Sequence, residues 1–137
     1  MRALLGRKRM NLRDVIDLLE CRVISGQELL DRPVQMACGA DLMSDVLAFT
    51  HVGTLLLTGL TNPQVVRTAE MAGIDAIVFV RGKIPPSATI ALAQEDEIPL
   101  LATLCTLYEA SGRLYSTGIP SCGTFDLSRQ TWQSVPD

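Results

Sequence analysis

Three short, unbroken apolar runs limit what this chain can fold into: Thr54–Thr58 (Thr-Leu-Leu-Leu-Thr), Ala76–Val80 (Ala-Ile-Val-Phe-Val) and Pro99–Ala102 (Pro-Leu-Leu-Ala). A strand with one wet face alternates apolar and polar residues. A run without alternation belongs to a strand covered on both faces, the environment of a parallel sheet. Each run leads into turn residues and then a segment with helical spacing. After the first come Gly59–Thr61, Asn62 as N-cap, Pro63 at the first helical position, an apolar face of Val65, Ala69 and Ala72, and Gly73 as a stop. After the second come Arg81-Gly82-Lys83, Pro85 and Pro86, with Ser87 capping a helix to about Glu95. After the third, Thr103 or Thr106 caps a helix to about Thr117, with Leu104, Leu107, Ser111 and Leu114 on one face and Gly118 at its end. Strand–helix alternation with such short loops predicts parallel βαβ units. The expected fold is α/β, a three-layer α/β/α arrangement around a mainly parallel sheet.

The first part of the chain fits around that rhythm. Leu12, Val15, Ile16 and Leu19 follow helical spacing behind Asn11, which predicts a helix over residues 11–20. Cys21–Ser25 reads as a short strand closed by Gly26, and Val34–Cys38 as a second behind Pro33. Asp41 is placed to cap a helix over Leu42–Phe49. The 137 residues fit one domain, large enough for a core without disulfide or metal staples. Aromatic residues are only 4%, so aliphatic side chains must fill that core. The expected division is a basic extension over residues 1–10, one α/β domain over residues 11–119, and a loose tail over residues 120–137 that holds Trp132.

Charge narrows the function classes. The net charge is −3, yet Arg2, Arg7, Lys8 and Arg9 lie in the first ten residues, which leaves the rest at about −7. An acidic body argues against broad nucleic-acid binding, which needs phosphate neutralisation, while the basic start leaves contact with nucleic acid or an acidic partner open beside the plainer reading of a frayed, solvated terminus. No window approaches a membrane span, and residues 1–10 lack the apolar core of a signal peptide. The expected compartment is the cytoplasm, with Cys21, Cys38, Cys105 and Cys122 present as structural thiols.

No catalytic constellation is recognisable. The turn Thr58-Gly59-Leu60-Thr61-Asn62-Pro63 is neither a dinucleotide fingerprint nor a Walker loop, and there is no nucleophile elbow. The only histidine, His51, has no cysteine near it, and the cysteines form no C-x-x-C pair, so no metal or other cofactor is expected. Asp41 and Asp45, four residues apart, could divide acid and base roles, but a helix N-terminus also favours such carboxylates. One pattern does point to a ligand. In open parallel sheets, ligands bind beyond the carboxyl ends of the strands. Those ends here carry Thr58, Gly59, Thr61 and Asn62, then Arg81, Gly82 and Lys83, then Thr103 and Thr106. Hydrogen-bond donors, two cations and helix starts together suit a phosphate group. Turn residues and N-caps are the competing explanation for the same residues.

Asp31-Arg32-Pro33-Val34 and Ala40-Asp41-Leu42-Met43-Ser44-Asp45-Val46-Leu47, taken with Leu55–Pro63, Ala76–Gly82, Ile98–Thr103 and Tyr108–Gly118, resemble the DRTGG domain family over roughly residues 11–119. Asp31 and Arg32 match the signature, Pro33-Val34-Gln35 replaces its Thr-Gly-Gly, and the stretch Asp41, Leu42, Ser44, Asp45 matches well. The resemblance implies a layered α/β/α unit like the N-terminal domain of HPr kinase/phosphorylase. It also implies a non-catalytic, regulatory or dimer-forming role. The family occurs beside CBS domains in regulated pyrophosphatases and in some phosphate acetyltransferases. Stand-alone copies include some that accompany hydrogenase-type redox enzymes.

The expectation is therefore a non-enzymatic regulatory domain, a homodimer, binding a small phosphorylated ligand or nucleotide through Thr58, Gly59, Thr61, Asn62, Arg81, Gly82 and Thr103, with Asp41, Ser44 and Asp45 beside them. The rival is an interaction module that holds a metabolic, redox or CBS-domain partner without a small ligand. A small enzyme using Asp41, Asp45 and Arg81 stands third.

Overall fold

Both faces of the three apolar runs are covered, as their lack of alternation requires. The computed structural model describes residues 9–50, 52–122, 132 and 134. Among them, five strands form one sheet: β1 (Arg22–Ser25), β2 (Met36–Gly39), β3 (Thr54–Thr58), β4 (Ala76–Phe79) and β5 (Leu100–Ala102), in spatial order β1-β5-β4-β3-β2. Strands β2 to β5 are parallel, with Cys38 opposite Leu56, Leu57 opposite Val78, and Val78 opposite Leu101. β1 pairs antiparallel with β5, with a register shift between Val23 and Ser25.

Among the described residues, five helices complete the layers: α1 (Leu12–Leu19), α2 (Met43–Phe49), α3 (Pro63–Ala72), α4 (Ser87–Glu95) and α5 (Leu107–Ser116). Successive strand residues point to opposite faces, and the two cores divide accordingly. Leu55, Leu57, Val78 and Leu101 pack with Leu12, Val15 and Leu19 of α1 and Ala110 and Leu114 of α5. Leu56, Ile77, Phe79 and Leu100 pack with Val46 of α2, Val65, Val66 and Ala69 of α3, and Ala93 of α4. The sandwich is thus α/β/α, as expected from the apolar runs. The three helices that connect consecutive parallel strands all lie on one face.

Local signals explain most helix ends. Asn11 accepts from Asp14 N–H at 3.1 Å and the Asp14 carboxylate accepts from Asn11 N–H at 2.9 Å, a reciprocal capping box. Asn62 caps α3 ahead of Pro63, and Gly73 ends it with φ +75°. Thr106, rather than Thr103, caps α5 by accepting from Glu109 N–H at 3.1 Å. Two expected caps are corrected. Ser87 is the first helical residue behind Pro86, and no side chain caps α4. Asp41 does not cap α2, whose N-cap is Leu42 with no side-chain bond. Its carboxylate reaches the end of β3 instead.

The matched pair Asp31-Arg32 lies at the opposite edge of the sheet from the strand carboxyl ends. Arg32 donates to Asp75 O at 2.8 Å and Glu97 O at 3.1 Å, the loops that feed β4 and β5. Asp31 accepts from the exposed Arg13 at 2.8 Å. This pair is a clamp on the chain.

The first residues of the segment read as a loose tail lie along β2. Ala37 N–H donates to Pro120 O at 3.0 Å and Cys122 N–H to Ala37 O at 3.1 Å, so Ser121 bridges Ala37 in parallel. The outer edge of β2 has polar backbone groups that require partners, and this segment supplies them. Trp132 is exposed. The basic residues 1–8, His51 and most of residues 123–137 lie outside the described residues.

Replacing Asn11 by Ala removes one half of the capping box at the start of a helix that seals one core. The variant is expected to lose about 1 kcal/mol in urea unfolding, with an unchanged denaturant slope.

Candidate functional site

Parallel alignment carries the ends of β2 to β5 to one edge. Ala40 N–H continues the ladder by donating to Leu57 O at 3.0 Å, which brings Asp41 beside Thr58. Asp41 Oδ1 then accepts from Thr58 Oγ1 at 2.9 Å and from Gly59 N–H at 2.8 Å. Lys83 Nζ donates to Gly59 O at 3.0 Å. A Cβ at Gly59 would stand 3.3 Å from an Arg81 guanidinium nitrogen and 3.7 Å from both Asp41 oxygens. Glycine there lets a cation and a carboxylate close over the backbone. Gly59 N–H holds Asp41 below its ordinary value of 3.8, against desolvation, with help from the Thr58 hydroxyl and the charges of Arg81 and Lys83.

The loop that presents the cations is itself constrained. Arg81 has φ +61° and Gly82 φ +70°. A non-glycine residue in the left-handed region costs about 1–3 kcal/mol and needs support. Arg81 N–H donates to Cys105 O and Gly82 N–H to Thr103 O, both at 2.8 Å, which ties this loop to the end of β5.

Five residues thus converge: Asp41, Thr58, Gly59, Arg81 and Lys83. A backbone N–H, a hydroxyl and two cations form the set that recognises a phosphate oxygen. In this structure the chain's own Asp41 carboxylate takes the N–H and the hydroxyl, with the two cations acting on it through their charge. Other expected residues stand apart from that cluster. Thr103 is buried, and its hydroxyl donates to Leu19 O at 2.6 Å. The Asn62 side chain caps α3, and Thr61 O accepts from Thr89 Oγ1 at 2.7 Å. Ser44 and Asp45 are exposed in the first turn of α2. Among the described residues, no group of three or more His, Cys, Asp or Glu is placed to hold a metal. No helix among them is long and apolar enough to cross a membrane.

Sequence reasoning missed a second feature. A cavity of 370 Å³ opens between β2 and α5, lined by Ala37, Cys38, Tyr108, Ser111, Tyr115 and Pro120 among others. Gly112, on its α5 wall, has nothing within 4 Å of where a Cβ would project. The exposed tyrosines seven residues apart were the available signal. The wall formed by Ile119–Ser121 was not, because it depends on the docking of those residues on β2.

No family model matches the sequence, and no curated protein matches it at a significant level. Among solved structures, the chain is similar to the CBS and DRTGG domains of the regulatory region of Clostridium perfringens pyrophosphatase, crystallised with its activator, diadenosine tetraphosphate. The TM-score is 0.63 at 13% identity, over 88% of this chain and 58% of that one. At that identity the likeness is one of fold, and this chain spans little more than half the length of its neighbour.

Two outcomes follow from the geometry. A carboxylate with a depressed folded-state pKa stabilises the fold above its unfolded value and loses that effect as pH falls through the folded one. Wild type is therefore expected to exceed Asp41→Asn in urea midpoint at neutral pH, with the gap closing below pH 3.8. A gap that persists unchanged in acid would show that the charge of Asp41 is not what the rim holds. Thr103→Val strips the hydroxyl donor from Leu19 O, leaving the weak Cys105 thiol at 3.9 Å, and is expected to cost about 1–3 kcal/mol in the same assay.

Proposed function

We propose that this chain is a non-catalytic regulatory domain of the DRTGG type, which senses a small phosphorylated ligand or nucleotide at the carboxyl edge of its sheet. The observation that carries the reading is the position of Asp41. Its carboxylate sits on Gly59 N–H and the Thr58 hydroxyl, with the Arg81 and Lys83 cations beside it. A phosphate oxygen would use the same donors and exchange with Asp41. Exchange releases the segment between β2 and α2, so occupancy of the rim becomes a change of conformation. The fold shared with a regulatory region crystallised with a dinucleotide activator supports this reading.

Dimerisation is part of the proposal. Leu42 and Leu47 of the α2 region, Val52, and Met71 of α3 are large apolar side chains at 60%, 46%, 75% and 69% exposure. A second copy, or an enzyme or CBS-domain partner, would cover them. That surface also favours the second reading, an accessory module for a metabolic or redox enzyme with no small ligand.

The experiment is thermal shift and calorimetry with inorganic phosphate, AMP, ATP and diadenosine tetraphosphate. A ligand at a hundredfold excess over its dissociation constant should add about 2.7 kcal/mol of stability. Asp41→Asn removes the competing charge and is expected to tighten binding about tenfold, near 1.4 kcal/mol. Arg81→Ala should abolish it. No response in either wild type or Asp41→Asn, or equal binding by Arg81→Ala, would overturn the ligand reading and leave the accessory module.

A further inference from the structure

We propose that Cys38 and Cys122 form a reversible thiol–disulfide site that fastens one wall of the 370 Å³ cavity to β2. The parallel bridge between Ala37 and Ser121 sets the register, and the next residue on each side is a cysteine. Neighbouring strands lie about 4.8 Å apart, inside the roughly 4.4–6.8 Å Cα separation that a disulfide requires. The Cys122 thiol is close enough to Cys38 to be one of the causes that raise the Cys38 pKa. Both side chains are partly exposed, so a small oxidant can reach them.

The device has something to act on. Ile119, Pro120 and Ser121 line the cavity, as does Cys38 itself. Ala37 N–H to Pro120 O and Cys122 N–H to Ala37 O are the backbone bonds that hold this wall to the strand. A covalent tie would pin the wall closed, and reduction would return it to those two bonds. Burial, then the nearby Cys122 thiol, pushes the Cys38 thiol up to about 12, so Cys38 keeps its proton at neutral pH.

The oxidant class is a low-molecular-weight disulfide such as oxidised glutathione. One thiol of the pair attacks, as its thiolate, one glutathione sulfur. The glutathione S–S bond breaks, one glutathione leaves as a thiol, and a mixed disulfide forms. The second cysteine then attacks the protein sulfur of that mixed disulfide and releases the second glutathione. The two cysteines lose two electrons and two protons, and two glutathione thiols gain them.

The test uses the full chain with oxidised glutathione, read by non-reducing peptide mapping and thermal unfolding. The expected result is an intramolecular cross-link between the Cys38 and Cys122 peptides. The midpoint should rise by roughly 5–15 °C and fall back with dithiothreitol. Cys38→Ser and Cys122→Ser should each lose the rise, and the double variant Cys21→Ser/Cys105→Ser should keep it. Stable glutathione adducts without the cross-link, or preferential linkage of Cys21 to Cys105, would overturn the proposal.

Discussion

The rest of the structure depends on in-register parallel pairing of β2, β3, β4 and β5. Because all four run one way and in step, every amino end falls on one edge and every carboxyl end on the other. The amino edge is a structural seam, where Arg32 ties the approaches to β4 and β5 through their carbonyls. The carboxyl edge collects donors and cations. A single antiparallel strand among the four would scatter both sets. β1, the one antiparallel member, lies at the far edge against β5, where it leaves the rim from Asp41 to Lys83 undisturbed.

The parts of this architecture readable from sequence are those set by local periodicity and by burial. Leu55, Leu56 and Leu57 in succession can be satisfied only by cores on both faces, and they fall alternately in the two clusters. Asn11, Asn62 and Thr106 act on backbone groups within their own helix start, so spacing along the chain was enough to find them. Thr103 shows where such reading fails. It has the same residue type and the same local setting as a cap, yet its hydroxyl bonds to Leu19, far away in sequence. Burial at 3% decides between those partners, and burial of a single threonine is a property of the fold.

Asp41 fails for a related reason. A short helix start offers a side chain one backbone N–H, whereas the end of β3 offers an N–H and a hydroxyl with two cations behind them. The stronger set wins, but it assembles only once β2, β3 and β4 are paired. The strand carboxyl ends were identifiable as a polar rim from residue types alone. That the rim is filled by one of its own acids was not. Pro120–Cys122 belongs to the same class, since a Pro- and Ser-containing stretch near a chain end reads as loose until an unpaired edge strand is known to lie beside it.

Both proposals converge on β2, the strand with least burial among the four parallel ones. Its carboxyl end leads through Ala40 into Asp41, and Cys38 lies three residues before that carboxylate. An anion at the proposed rim site would pull on one end of this strand, and the proposed disulfide to Cys122 would stiffen its outer edge. Coupling between two sites requires a shared element with two arrangements that both can bias. β2 meets that requirement better than β3 or β4, which are locked between two partners and buried on both faces. A tie at Cys38 would hold Gly39 and Ala40 in register and so favour the arrangement in which Asp41 occupies its donors. Oxidation and anion binding would then oppose one another through this strand, with no separate pathway needed between them.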